Sequence, residues 1–363
     1  MNKEKINSFS ISTIILSLCC STFYGIFSSY IIYNTGNSSL IAIAIGFVLS
    51  LIIAKIILTF YKQKKDLTYT GKIKIIYPKI YIIISLISIL CSIFGYILIT
   101  YRLTTFLSNQ YLIETPRFLI SLLILSLTYY TASKGINTVI RVSVITFFLS
   151  IFNFFFDFGS LISQIDFQNY LPLISVSLKD IIITSLIFAG YFSIPLIYIN
   201  VIPLNMINDS NKIGKYYYLM ITISFIIIFC SVFTCIGVNG SKITSLFDYP
   251  IYSTLKRINL FSILDSLENV SISAWFLFII NISNIMLTYI FSSIKETFNI
   301  SKNTNIINII IMIICFMVPN FIFANNNFNE SYKYIYIPLI FTGITLFIIV
   351  ISLIKLGIKK ELK

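Results

Sequence analysis

The sequence predicts an all-α membrane protein whose ten transmembrane helices form two inverted repeats of five helices each. Three observations support this fold class: an apolar composition, ten apolar runs of bilayer length, and an interruption in the leading run of each half. Residues 1–363 are expected to form a single integral membrane domain, with the repeats at about 9–157 and 181–355 and an outer amphipathic loop at 239–270.

The composition places the chain in a membrane. Apolar residues make up 57% of the 363 residues, and charged residues make up only 11%. A soluble fold of this size could not bury that much apolar surface. A helix needs about 20 apolar residues to cross the hydrocarbon core of a bilayer. Runs of that kind lie at roughly 9–33, 40–60, 80–101, 116–132, 139–157, 181–202, 217–238, 271–293, 305–323 and 335–355.

These runs are predicted to be helices. They are too uniformly apolar for the strands of a membrane barrel, which alternate apolar and polar residues. Isoleucine, tyrosine and phenylalanine favour strands in water, but a segment in lipid must satisfy its own backbone hydrogen bonds, and this requirement selects the helix.

Basic residues orient the chain. If the N-terminus is cytoplasmic, most of the 26 lysines and arginines fall in inner segments, with six lysines in residues 61–79 alone. Cytoplasmic loops of membrane proteins carry such an excess, so both termini are predicted to be cytoplasmic. The net charge of +13 is therefore attributed to loops and not to nucleic-acid binding, since no basic stripe with interleaved aromatic residues occurs.

The residue types argue against an enzyme. Histidine, the commonest general base and metal ligand, is absent. The six cysteines all fall in apolar runs without a C-x-x-C pair, which is typical of small core residues. No P-loop occurs. We therefore expect no catalytic residue, no metal and no cofactor.

The leading span of each half is interrupted near its middle. The first span contains "CCSTFYGIFSSY" around Gly25, and the sixth contains "FAGYFSIPLIYIN" with Gly190, Ser193 and Pro195. Glycine tolerates unusual dihedral angles, and proline removes a backbone donor, so these are places where a helix can unwind. Matched interruptions of this kind predict a mid-membrane ligand site between the two spans. Close packing or a simple kink is the alternative explanation for each interruption.

The predicted site suits a small polar solute. Half-helix N-termini attract a carboxylate and unwound carbonyls attract an ammonium group, so a free amino acid fits without a charged side chain. Polar residues on the third and eighth spans share faces at helical spacing, although interhelical hydrogen bonding explains the asparagines equally well. The predicted ligand-binding residues are Thr22, Tyr24, Gly25, Ser28, Tyr96, Thr100, Gly190, Tyr191, Ser193, Asn281 and Asn284.

Several stretches, in order along the chain, carry a family resemblance. They are "IETPRFLISLLILSLTYYTASKGINTVIRVS", "NYLPLIS" ahead of the sixth span, and "YPIYSTLKRINLFSILDSLENVSISAWFLF" running into the eighth. With these motifs, its size and its ten spans, the chain resembles the B subunit of bacterial spore germinant receptors. That group is a branch of the amino acid/polyamine/organocation transporter superfamily, which has a LeuT-like fold. The family's sixth-span glutamate has no counterpart here, because "FAGYFSIPLIY" contains no acid.

The resemblance implies partners and a mechanism. A larger membrane subunit and a lipoprotein subunit are expected beside this chain in the spore inner membrane. A nutrient would bind in the membrane cavity, shift the interrupted helices and so signal germination. A secondary transporter of amino acids or related solutes is the main alternative, and a structural scaffold with a vestigial cavity is another.

Overall fold

The computed structural model describes residues 6–257, 268–300, 304–322 and 333–361, and these are nearly all helical. The α-helices are α1 (Ser8–Thr22), α2 (Ser28–Thr35), α3 (Ser39–Lys62), α4 (Tyr69–Ile76), α5 (Tyr81–Gln110), α6 (Arg117–Ser133), α7 (Ile136–Leu161), α8 (Leu178–Ser193), α9 (Ile213–Asn239), α10 (Ser241–Thr244), α11 (Pro250–Leu255), α12 (Glu268–Thr297), α13 (Asn305–Met317) and α14 (Lys333–Glu361).

Tighter or wider helical turns continue several of these helices. A π-helix, Phe23–Phe27, joins α1 to α2, and a 3₁₀-helix, Ile194–Val201, continues α8. A second π-helix, Val318–Ile322, follows α13. We call the stretch from α1 through α2 the first span, and α8 with its 3₁₀ continuation the sixth span.

The described residues bear out the prediction of an all-helical membrane protein. Each predicted apolar run falls on a helix. Within the described ranges, seven helical segments are long and apolar enough to cross a membrane, and three apolar helices are shorter. Residues 258–267, which carry most of the predicted amphipathic pattern of the outer loop, lie outside the described residues. The described parts of that loop form the short helices α10 and α11.

Two spans form the interior of the molecule. In both Leu178–Val201 and Trp275–Thr297, 83% of the most apolar stretch is buried, against 17% for Leu339–Gly357 of α14. The sixth span and α12 are therefore enclosed by the other helices. On α7, by contrast, Phe148, Phe152 and Phe155 are exposed, as contact with lipid requires.

The second and sixth spans touch at backbone distance. α3 and α8 make the most extensive helix pair in the described structure. A Cβ atom at Gly46 of α3 would lie 2.7 Å from Cδ1 of Phe188 and 2.7 Å from the carbonyl oxygen of Ser185 on α8. Small residues permit such close approach between helices in lipid. Gly46 thus fixes the first half of the sixth span against α3.

The start of α1 is tied to the loop that follows the sixth span. The Ser8 backbone N–H donates to Asp209 Oδ1 at 2.7 Å, and Ser8 Oγ donates to the Asp209 carbonyl oxygen at 2.7 Å. The hydrogen bond from the Ser8 N–H lowers the pKa of the Asp209 carboxyl. Because Asp209 sits at the N-terminus of α1, the helix dipole favours its negative charge. The N-terminal end of the first span is therefore tied to the loop at the C-terminal end of the sixth.

We expect Gly46→Ala to lower the stability of the purified protein by about 1–3 kcal/mol, because the added methyl meets the α8 backbone, which cannot yield as a side chain can. Thermal unfolding in detergent would measure the change. Gly159→Ala on α7 is the matched control, since nothing lies within 4 Å of its added Cβ. Equal melting temperatures for the two variants would contradict this account of the α3–α8 contact.

Candidate functional site

The first span changes its helical pitch where the sequence places Gly25. α1 ends at Thr22, and the next five residues form a π-helix that contains Gly25. The Ser28 N–H donates to the Phe23 carbonyl, five residues earlier, which is the π-helical pattern. The helix therefore widens by one residue and continues as α2. Single π-helical turns of this kind are frequent at functional sites.

The sixth span changes its pitch at Pro195. Proline has no N–H, so it cannot donate to the carbonyl of Tyr191, four residues earlier. The preceding residue, Ile194, makes the regular α-helical bond from its N–H to the Gly190 carbonyl. The freed Tyr191 carbonyl accepts a hydrogen bond from Thr22 Oγ1 at 2.9 Å. The last residue of α1 thus satisfies the backbone group that Pro195 releases, and this Thr22–Tyr191 bond joins the two interrupted spans.

The interruptions differ from the unwound segments that the sequence led us to expect. Both stay helical, one as a π-helix and the other as a 3₁₀-helix. The reason is the cost of an unpaired backbone group in a bilayer, several kcal/mol, which a change of helix type avoids and an extended segment does not. Consequently the spans present no pair of open half-helix ends, and the Tyr191 carbonyl is already bonded.

A cavity nevertheless lies between the two interrupted spans. This inner cavity has about 450 Å³ of empty space, including its mouth, and it is lined by residues of the first span, α5, the sixth span, α12 and α14. Among the predicted ligand residues, Thr22, Gly190 and Tyr191 line it. Pro195 and Met286 also line it, so its wall is mostly apolar.

A larger cavity lies on the other side of the first span. This outer cavity has about 860 Å³ of empty space, including its mouth, between the first span, α5, α7, α9, α11 and α12. Two predicted ligand residues, Tyr24 and Ser28, line it. Tyr24 Oη lies 2.6 Å from Ser231 Oγ of α9. Of the described lining residues, Asp157 alone carries a charge.

The two asparagines of α12 that were predicted to bind ligand have different surroundings. Asn281 Nδ2 donates to Ser17 Oγ at 3.2 Å and to Thr146 Oγ1 at 2.8 Å, so it joins α12 to α1 and α7. This is the interhelical bonding expected as the alternative to ligand contact. Asn284 is fully buried, and neither of its amide atoms has a hydrogen-bond partner among the described residues. Buried amides are normally bonded, so Asn284 is the better candidate of the two for binding a solute or a water molecule, and neither asparagine lines either cavity.

Three other predicted residues bond within the helices. Tyr96 Oη lies 2.7 Å from Thr128 Oγ1 of α6, and Thr100 Oγ1 donates to the Tyr96 carbonyl. Ser193 Oγ donates to the Ala189 carbonyl one turn earlier. In the described structure these three side chains line neither cavity. Their ligand role stays a prediction, and it requires another conformation of the helices.

The sequence analysis did not assign several residues of the outer cavity to a binding site. Asp157 is the one acid within the ten predicted spans, and a titratable residue inside the membrane marks a functional site by default. That signal was available. The contribution of Tyr249 and Tyr252 was not, because they belong to the outer loop, and only the fold brings them over α7 and α12. Within the described ranges, no cluster of acids and cysteines is suited to hold a metal ion.

A buried lysine contacts the C-terminal end of the sixth span. Lys72 of α4 donates from Nζ to the carbonyls of Phe60 and Tyr61, at 3.3 and 2.9 Å, and to Asn200 Oδ1 at 3.3 Å. Its Nζ also lies 5.2 Å from the ring centroids of Phe60 and Tyr61. Burial lowers the pKa of Lys72 to about 7. Lys72 therefore connects α3 and the inner loop to the 3₁₀ segment.

Comparison with known proteins identifies the family. A family model described as spore germination protein matches residues 5–329 of the chain. The chain belongs to this family. The resemblance stated from the sequence motifs is thereby confirmed, and a permease-like membrane role follows from it. No curated protein sequence matches the chain.

A solved structure shows the same fold. It is described as the substrate-bound outward-open state of a Na⁺-coupled sialic acid symporter. The TM-score is 0.68 at 13% sequence identity, and the match covers 94% of this chain and 78% of the symporter chain. At that identity the likeness concerns the fold alone. It supports a transporter-like arrangement of the helices of this spore germination protein.

We expect the stability of the protein to depend on pH through Lys72. Its pKa is about 7 in the folded protein and near 10.5 in the unfolded chain. Between these values the unfolded chain binds more protons, so the free energy of unfolding rises with pH, by about 1 kcal/mol per pH unit. Melting curves of the wild type and Lys72→Met from pH 6 to 10 would show the wild type gaining stability relative to the variant. Exposed Lys74, replaced in the same way, is the control, and parallel curves for the wild type and Lys72→Met would contradict the assignment.

Proposed function

We propose that the chain is the membrane subunit of a nutrient-germinant receptor, which binds a small polar nutrient, an amino acid, in the inner cavity and signals germination. The observation that carries the proposal is the Thr22–Tyr191 bond, in a member of the spore germination protein family. It places a polar joint between the two interrupted spans at the wall of a cavity. A ligand there can act on both spans at once.

The chemistry of the joint suggests how binding becomes a signal. Pro195 cannot donate to the Tyr191 carbonyl, and Thr22 Oγ1 donates to it, so a ligand donor that approaches this carbonyl acts directly on the contact between the two spans. The ammonium group of an amino acid is such a donor, and its charge makes the stronger hydrogen bond. Displacing Thr22 separates α1 from the sixth span. Because the ligand binds the separated conformer better, it shifts the population towards that conformer.

The proposal includes ten membrane crossings in a five-plus-five arrangement. Gly36, with φ +50°, ends α2, so the long helical segment Ser28–Lys62 is two spans joined by a tight turn. α1 completes its crossing through the π-helix and α2. α6 and α13 are shorter than the other spans, and each still covers most of a bilayer core. Termini found on opposite sides of the membrane would contradict this arrangement.

The family also suggests the setting. We place the protein in the spore inner membrane with both termini cytoplasmic, beside a larger membrane subunit and a lipoprotein subunit. The basic inner loop around Lys62, Lys64 and Lys65 supports the orientation. The apolar exposed face of α7 supports contact with lipid or with a membrane partner.

A secondary transporter is the second candidate, favoured by the likeness to a symporter fold. One assay distinguishes the two functions. Radiolabelled amino acid should accumulate in proteoliposomes if the chain transports, and it should only bind if the chain senses. No acid follows Asp180 in the sixth span, so the position of the family's glutamate is empty of a titratable carboxylate, and this favours sensing over proton coupling.

We expect Gly190→Leu to abolish nutrient-triggered germination of spores that depend on this chain. A Cβ atom at position 190 would lie 2.6 Å from Leu339 Cδ2, so a leucine side chain must fill the inner cavity. The germination rate and the binding of radiolabelled amino acid to the purified receptor would measure the effect, and both should fall at least tenfold.

Gly343→Leu is the matched control. Gly343 also lies within a membrane helix, and nothing lies within 4 Å of its added Cβ. This variant should accumulate in the membrane and germinate as the wild type does. Normal germination of both variants would remove the inner cavity from the proposal, whereas loss in both would show only that the helices tolerate no leucine.

A further inference from the structure

The outer cavity is built differently from the inner one. Its walls come from six helical segments, and one end reaches Tyr24 of the first span. Asp157 of α7 and Trp275 of α12 both line it. The outer cavity therefore lies next to the π-helix of the first span and beside the C-terminal half of α7.

Four aromatic rings form a cage at this cavity, and we call Phe106, Tyr249, Tyr252 and Trp275 the aromatic cage. The ring of Phe106 packs edge-on against the other three, with centroid distances of 4.9 Å to Tyr249, 5.4 Å to Tyr252 and 4.2 Å to Trp275. Such edge contacts fix the rings, and the faces of fixed rings attract cations. Lys256 illustrates this at the rim, since its Nζ lies 4.4 Å from the Tyr252 centroid.

The hydroxyl groups of the cavity are arranged as acceptors. Ser231 Oγ donates to the Ile227 carbonyl, so Tyr24 Oη is the donor in the Tyr24–Ser231 contact. Ser150 and Thr234 likewise donate to backbone carbonyls of the preceding turn. A hydroxyl has one hydrogen, and once it is used only lone pairs remain. These side chains can therefore accept hydrogen bonds from a ligand but cannot donate to it.

Two further groups define what can bind. Asp157 supplies a carboxylate, which accepts several hydrogen bonds and favours a positive charge beside it. Trp275 is 8% exposed, and its Nε1–H has no acceptor among the described residues. Buried donors are normally bonded, so this N–H marks polar space at the cage, which a water molecule or a polar ligand can fill. The carboxylate, the acceptor hydroxyls and the π-faces make up much of the wall.

We propose that the outer cavity binds a small organic cation, an ammonium group on an apolar body. The ammonium is held by Asp157 and by the aromatic cage, and the apolar body packs against Phe154 and Phe278. The Asp157 carboxylate disfavours an anion beside it. The inference goes beyond the proposed function, because it holds for a sensor and for a transporter alike.

The single tryptophan of the chain makes the test direct. Trp275 is the only tryptophan in the sequence, so the tryptophan fluorescence of the full chain in liposomes reports on this cavity. The probes are 2-phenylethylamine and its neutral counterpart 2-phenylethanol. We expect the amine to change the Trp275 emission saturably, with an apparent Kd at least about tenfold below that of the alcohol, because a charged donor gains more from Asp157.

Variants test whether Asp157 and the aromatic cage cause the preference for the amine over the alcohol. Asp157→Asn should reduce the preference for the amine to about threefold or less, and Asp180→Asn, at the start of α8 and outside the cavity, should leave it unchanged. If Asp157→Asn does not fold, Tyr252→Leu and Tyr252→Phe carry the test, with binding weakened by leucine and retained by phenylalanine. Equal affinity for amine and alcohol in the wild type would overturn the proposal, as would a preference that survives both Asp157→Asn and Tyr252→Leu.

Discussion

The carbonyl that Pro195 leaves without a donor is the group on which the arrangement of the two interrupted spans depends. In water such a carbonyl would bind solvent, but inside a bilayer it must find a partner in the protein. The partner is Thr22 Oγ1, at the last residue of α1. One backbone irregularity therefore determines where the first and sixth spans touch, and the first span changes to a π-helix immediately after that contact.

The positions of both cavities can be described relative to the Thr22–Tyr191 hydrogen bond. The inner cavity lies beside it, with Thr22 and Tyr191 in its wall, and the outer cavity begins at Tyr24, two residues further along the π-helix. A change at Thr22 is therefore transmitted to both spaces through a single short segment. At the inner end, Lys72 bonds Asn200 of the 3₁₀-helix and holds it against α3. The sixth span is thus held by α3 at its start, by Thr22 at its middle and by Lys72 at its end.

The sequence was informative about the helices and their irregular positions, because those follow from local properties. Glycine at 25 and proline at 195 mark the two changes of pitch, and hydropathy places a helix on every apolar run. The kind of change was not predictable, since the Tyr191 carbonyl is satisfied by a residue 169 positions away. Side-chain direction was equally inaccessible: Tyr96 faces Thr128 on α6 because of how α5 and α6 pack, and no spacing along α5 contains that information.

The outer cavity shows the same limit in another form. Asp157 is conspicuous in the sequence as the one acid of the predicted spans, but its aromatic surroundings come from four separate segments. Local pattern identifies a candidate group, and tertiary structure decides what surrounds it. The chemistry of the site could therefore be described only once the fold was known.

The most direct test of the central claim is a double-mutant cycle between Thr22 and Pro195, with the free energy of unfolding measured in detergent. Thr22→Val keeps the shape and removes the hydroxyl, so in the wild-type background it should cost about 1–3 kcal/mol by leaving the Tyr191 carbonyl unpaired. In the Pro195→Ala background the restored N–H can reach that carbonyl, and the same change should cost at least about 1 kcal/mol less. An equal cost of Thr22→Val in both backgrounds would show that Pro195 does not create the joint, and it would contradict the account.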